Sequence, residues 1–213
     1  MANAYTLHPC SVSGQYRCSG AECGEPTCDL GGCDFNPYRL GNKDFFGPQK
    51  IIDTTKNVTV VTQFITEGNQ ADGDLVEVRR FYIQDGKVYK NAMPGFTDLS
   101  GNSLTDEFCA AESKLFGGDD TFKAHGGMSG INSAMDDGMV LTFSIWLDDT
   151  AQMLWLDSNF PKDADATTPG VSRGPCATDS GLREDVLREQ PHAAATFFNI
   201  KIGDIGSTFS VPE

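Results

Sequence analysis

The sequence predicts an all-β protein, an antiparallel β-sandwich carrying two short surface helices, and three stretches carry that prediction. NVTVVTQFIT, Asn57–Thr66, is almost wholly β-branched, aromatic or otherwise compatible with a sheet. Leu75–Gln84 and Lys87–Lys90 flank Asp85-Gly86, a two-residue turn whose backbone twist suits an antiparallel hairpin. From Gly138, Met139, Leu141, Phe143 and Ile145 alternate with Val140, Thr142, Ser144 and Trp146, the period of a strand whose faces meet different surroundings.

Between these strands the chain gives weaker signals. Up to about Asn42 it is rich in Gly, Pro and Cys with little periodicity, so it reads as loops held by cross-links. Leu104, Phe108, Ala111 and Leu115 recur at helical spacing, with Ser103 and Asp106 as the expected capping box and Gly117-Gly118 as the stop. Met128, Ile131 and Met135 predict a second, shorter helix ended by Gly138. Met153–Asp157 reads as a second short strand after a turn at Asp148-Asp149, and Ala194–Ile202 as the last strand. The Pro/Asp/Thr-rich segment Asn159–Arg173 is too long for a simple connection and is expected to carry function.

The two tryptophans flank the Asp148-Asp149 turn. The face of the predicted strand that bears Thr142, Ser144 and Trp146 suits a sugar, whose ring offers C–H faces for stacking and hydroxyls for hydrogen bonds. The same pattern also suits two tryptophans buried in a sandwich core.

Composition narrows the classes of partner. The 213 residues suffice for one domain with its own core, and 30 acidic against 16 basic residues give a net charge of −14. That balance argues against a nucleic-acid groove or an anionic membrane surface, both of which need clustered Lys and Arg. No apolar run approaches a membrane span, and MANAYTLHPC lacks the regions of a signal peptide.

Of the seven cysteines, Cys10, Cys18, Cys23, Cys28 and Cys33 crowd the start, whereas Cys109 and Cys176 stand alone. Their spacing lacks the paired ligands of structural zinc and favours disulfides, hence an oxidising compartment. Disulfides without a signal peptide, together with an odd cysteine count, imply that the N-terminal part of a secreted protein is missing and that Met1 is an artificial or mispredicted start. Asn57-Val58-Thr59 is a glycosylation sequon.

No phosphate loop, dinucleotide fingerprint or nucleophile elbow is present, and His8, His125 and His192 show no metal-ligand spacing, so neither cofactor nor metal is expected. The acid pairs, such as Asp148/Asp149, are chain neighbours that would point to opposite faces of a strand. A glycosidase instead needs two carboxyls facing one another across the scissile bond.

HPC at 8–10, CDFNPYRLGN at 33–42, GPQKIIDTTKNVTVVTQF at 47–64, GMVLTFSIWLDDTAQMLWLDS at 138–158, TTPGVSRGPC at 167–176 and FFNIKIGDIGST at 197–208 together resemble family 7 glycoside hydrolases, the secreted cellobiohydrolases and endoglucanases that cut β-1,4-glucan. The family's catalytic signature, E-x-D-x-x-E, occurs nowhere in the sequence. The resemblance therefore implies that residues 1–213 are the C-terminal portion of one catalytic domain, without linker or cellulose-binding module, starting just after the strand that carries nucleophile and acid/base. It implies a curved, concanavalin-like jelly roll, here incomplete, with cellulose or cello-oligosaccharides along its concave face, and monomeric full-length relatives.

By the same resemblance Trp146 and Trp155 match sugar-stacking platforms and His8 a histidine near the catalytic centre. Asp34 and Arg173 match product-side residues that bond glucose hydroxyls, with Arg39 a further candidate. The implied bridges are Cys10–Cys28, Cys18–Cys23 and Cys33–Cys109, leaving Cys176 unpaired.

Set against the family it resembles, a shortened segment at Glu25-Pro26-Thr27, Gly31 where the family has an acid and Phe160 where it has a tyrosine imply an opener groove, whereas the long Asn159–Arg173 loop resembles that of cellobiohydrolases rather than endoglucanases. The expectation is thus part of a retaining β-1,4-glucanase that is inactive alone. The alternatives are a noncatalytic glucan-binding sandwich and a truncated gene product without activity.

Overall fold

The computed structural model describes residues 3–12, 14, 17–19 and 27–210. Its largest sheet is built on the predicted hairpin: β6 (Leu75–Gln84) and β7 (Lys87–Lys90) are antiparallel with Gln84 opposite Lys87. Asp85 (φ 51°) and Gly86 (φ 74°) both occupy the left-handed region that such a turn demands, which explains why this dipeptide sits there. β5 (Thr59–Thr66) pairs along the other side of β6, with a register shift at Ile65/Thr66, and β8 (Ser103–Leu104) also pairs with β6. Two small ladders complete the strands: β1 (Tyr5–Leu7) antiparallel to β2 (Cys33–Phe35), and β3 (Phe46–Gly47) parallel to β4 (Ile52–Asp53).

Two helices form where the 3.6-residue pattern places them, α1 (Asp106–Leu115) and α3 (Gly127–Asp136), with the short α2 (Thr121–Ala124) between. The start of α1 differs from expectation. Ser103 pairs in β8 opposite Arg79, and it is the Thr105 hydroxyl that accepts the Phe108 N–H, at 3.1 Å. An N-cap must lie immediately before the first helical residue to reach an orphan N–H, and Thr105 holds that place. Phe108, Met128 and Ile131 pack with Phe35, Leu40, Val78 and Leu104 in the main core, and a second cluster gathers Phe45, Ile52, Tyr82 and Ala92. Two bridges, Cys10–Cys28 and Cys33–Cys109, match the expected pairs; Cys18 is disulfide-bonded, while its expected partner Cys23 lies outside the described residues.

Three strand predictions fail. Residues 138–146 join no ladder, and Leu141, Phe143 and Ile145 are exposed on one side as Val140 (88% exposed) is on the other, so neither face becomes a core face. A strand needs hydrogen-bonding partners, and among the described residues none forms a ladder with this one. Residues 194–202 are likewise unpaired and exposed, touching the first segment through Phe143 and Phe197, whose rings lie 4.6 Å apart. Met153–Asp157 is not a strand but the single helical turn α4 (Leu154–Asp157). The Asp148 carboxylate accepts the N–H groups of Thr150, Ala151 and Met153, curling the chain before a strand can start. A polar helix, α5 (Arg183–Glu189), was not foreseen; it buries no residue, and Arg183 bonds the Asp149 carboxylate.

Candidate functional site

The loop following β2 begins at Asn36, which is 2% exposed. Its side-chain oxygen accepts the N–H groups of Tyr38 (3.0 Å) and Arg39 (3.3 Å), and its amide donates to the carbonyls of Leu156 (3.2 Å) and Arg173 (2.8 Å). One buried amide thus shapes the turn that presents Arg39 and fastens it to the segments bearing Trp155 and Arg173. The long loop closes at its base, where the Phe160 N–H reaches the Val171 carbonyl (3.0 Å) and the Arg173 N–H reaches the Ser158 carbonyl (2.8 Å). Near its end Gly170 approaches α1 so closely that a Cβ there would lie 2.6 Å from the Phe116 ring.

These contacts bring four of the residues singled out in the sequence into one cluster. Arg39 is ion-paired with Asp34, donates through Nε to the Gly170 carbonyl (3.0 Å) and lies over the Phe116 ring at 4.2 Å. Arg173 donates through Nη1 to the Trp155 carbonyl (3.3 Å) and stands 5.4 Å from the centre of the Phe160 ring. The Trp155 indole N–H is held by Asp148 Oδ2 at 3.0 Å, leaving the residue 36% exposed.

A fifth member was missed. Glu112, on α1, is 4% exposed, and with Arg39 and Gly32 it lines a cleft of about 180 Å³. Its Oε1 is buried without a partner, and Oε2 rests 3.7 Å from Cys33 Sγ, a disulfide sulfur with no proton to donate. The helical period alone would place Glu112 beside Phe108 on a half-buried face, but nothing in the sequence told it apart from the acids around it.

The electrostatics follow from this burial. Desolvation, reinforced by the negative charge of Asp34, raises the Glu112 carboxyl well above the ordinary range against the pull of Arg39, the Asp34 backbone N–H and Arg173. Desolvation and the like charge of Arg39 bring Arg173 down to about 10, with Asp34 and Glu112 opposing. A neutral polyol suits such a group: guanidinium donors and carboxylate acceptors for hydroxyls, and an aromatic flank for the ring.

The remaining candidates lie elsewhere in the chain. His8 is exposed; its Nδ1 lies 2.8 Å from the Asp29 carbonyl, which can only accept, so Nδ1 is the donor there. Trp146 is 68% exposed and its indole N–H bonds the Ser144 hydroxyl at 2.7 Å; no contact joins it to the Arg39–Arg173 cluster among the described residues. Asn57 is exposed on the chain leading into β5, and Cys176 is a free, exposed thiol. Glu25 and Pro26, which bear on the openness of the groove, lie outside the described residues. Among the described residues no three His, Cys, Asp or Glu side chains are placed to hold a metal ion, and no helix is long and apolar enough to cross a membrane.

Comparison with known proteins shows what the chain resembles. The sequence model of glycosyl hydrolase family 7 matches residues 1–209. Among solved structures, a family 7 cellobiohydrolase from Daphnia pulex is 44% identical with a TM-score of 0.84, over 88% of this chain and 44% of that one. A cellobiohydrolase from Melanocarpus albomyces, complexed with cellotetraose, is 34% identical with a TM-score of 0.77, over 90% of this chain and 44% of its own. A Humicola insolens endocellulase is 33% identical with a TM-score of 0.73, over 89% and 44%. The chain spans less than half the length of each of these structures, and their jelly-roll β-sandwich is its fold class.

Proposed function

Because the chain belongs to glycosyl hydrolase family 7, we propose that it forms the product side of the glucan-binding cleft of a retaining β-1,4-glucanase of cellobiohydrolase type. The observation that carries this reading is the convergence of Asp34, Arg39, Trp155 and Arg173. Segments as far apart as Asn36 and Arg173, or Arg39 and Gly170, are joined there by hydrogen bonds of 2.8 and 3.0 Å. Trp155 gives the sugar ring an apolar face, Arg39 and Arg173 donate to hydroxyls, and Asp34 accepts from them. Trp146 is a further stacking platform and His8 a neighbour of the reaction centre by the resemblance of their motifs. The retained Asn159–Arg173 loop, anchored on Arg39 through Gly170, supports the cellobiohydrolase type.

Cutting the glycosidic bond with retention requires a nucleophilic carboxylate and a protonated carboxyl about 5 Å apart on either side of it. No E-x-D-x-x-E segment occurs in these 213 residues, so the chain binds glucan and leaves the bond intact. Its disulfides and the exposed Asn57 sequon fit an extracellular protein. Calorimetric titration with cellobiose, beside an assay on a chromogenic cellobioside, tests this: binding without hydrolysis is expected, and Trp155→Ala should abolish binding. Hydrolysis by the chain alone, or cellobiose affinity indifferent to Trp155→Ala, would overturn the reading.

A further inference from the structure

Apart from the pull of the Asp34 N–H, no hydrogen-bond donor of the fold meets the Glu112 carboxyl. Its Oε1 is buried and unpartnered, and its Oε2 faces a disulfide sulfur. A carboxyl in such a place is costly to keep unless it acts on the charges around it. The charged groups that face it are Asp34 on β2, Arg39 in the following loop and Arg173 at the end of the long loop; Asp119 and Asp120 line the same cleft.

We propose that Glu112 is a positioning residue for glucan binding: seated against the Cys33–Cys109 bridge beside the Arg39–Asp34 ion pair, it decides which carboxylate holds Arg39. In doing so it sets the geometry in which Asp34, Arg39 and Arg173 meet glucose hydroxyls. This rests on the product-side reading above. While Glu112 keeps its proton, Asp34 alone holds Arg39, and the three ionised groups Asp34, Arg39 and Arg173 carry one net positive charge. When Glu112 loses its proton to solvent, a second carboxylate lining the same cleft competes for Arg39, the net charge falls to zero and the guanidinium is drawn from Asp34 toward Glu112. Burial and the Asp34 charge defer that loss to a pH at which exposed carboxyls have long ionised.

The test uses the full chain, wild type, Glu112→Gln and Glu112→Met, the last guarding against an effect peculiar to the amide. Difference infrared spectroscopy across pH, without sugar, should show in wild type the C=O stretch of a protonated carboxyl persisting beyond the ordinary carboxyl range; both variants should lack it. Cellobiose titrations followed by tryptophan emission should show wild-type affinity falling about tenfold over the pH interval in which that stretch disappears. Both variants should hold the low-pH affinity throughout. A stretch that survives in Glu112→Gln, or the same pH profile of binding in all three proteins, would overturn the assignment while leaving the glucan reading intact. If no protein binds cellobiose at any pH, the glucan reading fails and the proposed role falls with it.

Discussion

Asn36→Ala is the substitution that most directly tests how the site is assembled. It removes four hydrogen bonds at once, with Leu156, Arg173, Tyr38 and Arg39, from a side chain that is 2% exposed. At roughly 1 kcal/mol net per bond, with more for each buried carbonyl left unpaired, the loss should be about 3–5 kcal/mol. A domain of this kind holds only about 5–15 kcal/mol in total, so the urea midpoint followed by far-UV circular dichroism should drop sharply. Asn36→Asp separates hydrogen bonding from packing. It keeps the volume and the acceptor for Tyr38 and Arg39 but sets a carboxylate oxygen against the Leu156 and Arg173 carbonyls, and should cost at least as much. Both variants should also lose cellobiose affinity under conditions where they remain folded, because Arg39 and Arg173 are no longer tied together. If both lie within about 1 kcal/mol of wild type, the amide is not the fastener described here.

Replacing Cys33 and Cys109 together by Ala opens a loop of sequence separation 76, and the chain-entropy relation gives about 4.5 kcal/mol for its closure; a urea-derived loss below about 1 kcal/mol would refute that account. The Asp148 carboxyl is lowered to about 2 by the Ala151 and Thr150 N–H groups, the Trp155 indole and the Met153 N–H. Its folded value lies below the unfolded one of about 3.9, so its stabilising effect is present above that value and is lost as pH falls through about 2. Tryptophan emission should change across that window in wild type and not in Asp148→Asn. Cys176 should alkylate in the native state, slowly at neutral pH because partial burial and Asp157 raise its pKa, and faster in Asp157→Asn; peptide mapping that found it bridged to another cysteine would contradict this. The bare, unpaired segments 138–146 and 194–202 should drive self-association, which Val140→Lys with Ile202→Lys (88% and 87% exposed) should reduce in sedimentation velocity; a wild type that is monomeric at every concentration would refute it.

Some of this was readable from short stretches of chain because its causes are local. The Asp85-Gly86 hairpin needs only two residues that tolerate positive φ between strand-forming runs, and α1 and α3 need only a period and a stop. Residues 138–146 carry as clear a period as β5, but a period states which face could be buried, not whether anything is there to bury it. Asp148 shows the same limit from the other side: three N–H groups within five residues of one carboxylate outweigh the strand pattern that follows, and Met153–Asp157 turns helical.

Residue types and motifs alone therefore determined the family, the main hairpin, the two longer helices and the identity of Asp34, Arg39, Trp155 and Arg173 as candidates for meeting a sugar. Only the tertiary structure decided that those four converge, that Asn36 holds them together and that Glu112 lies buried among them. A buried amide or acid owes its role to partners far away in the chain: Asn36 reaches Arg173 across 137 positions, and Glu112 takes its proton affinity from burial and from charges on other elements. Burial and long-range charge arise only when those distant segments meet, which is why an asparagine or a glutamate reads as ordinary until the chain is folded.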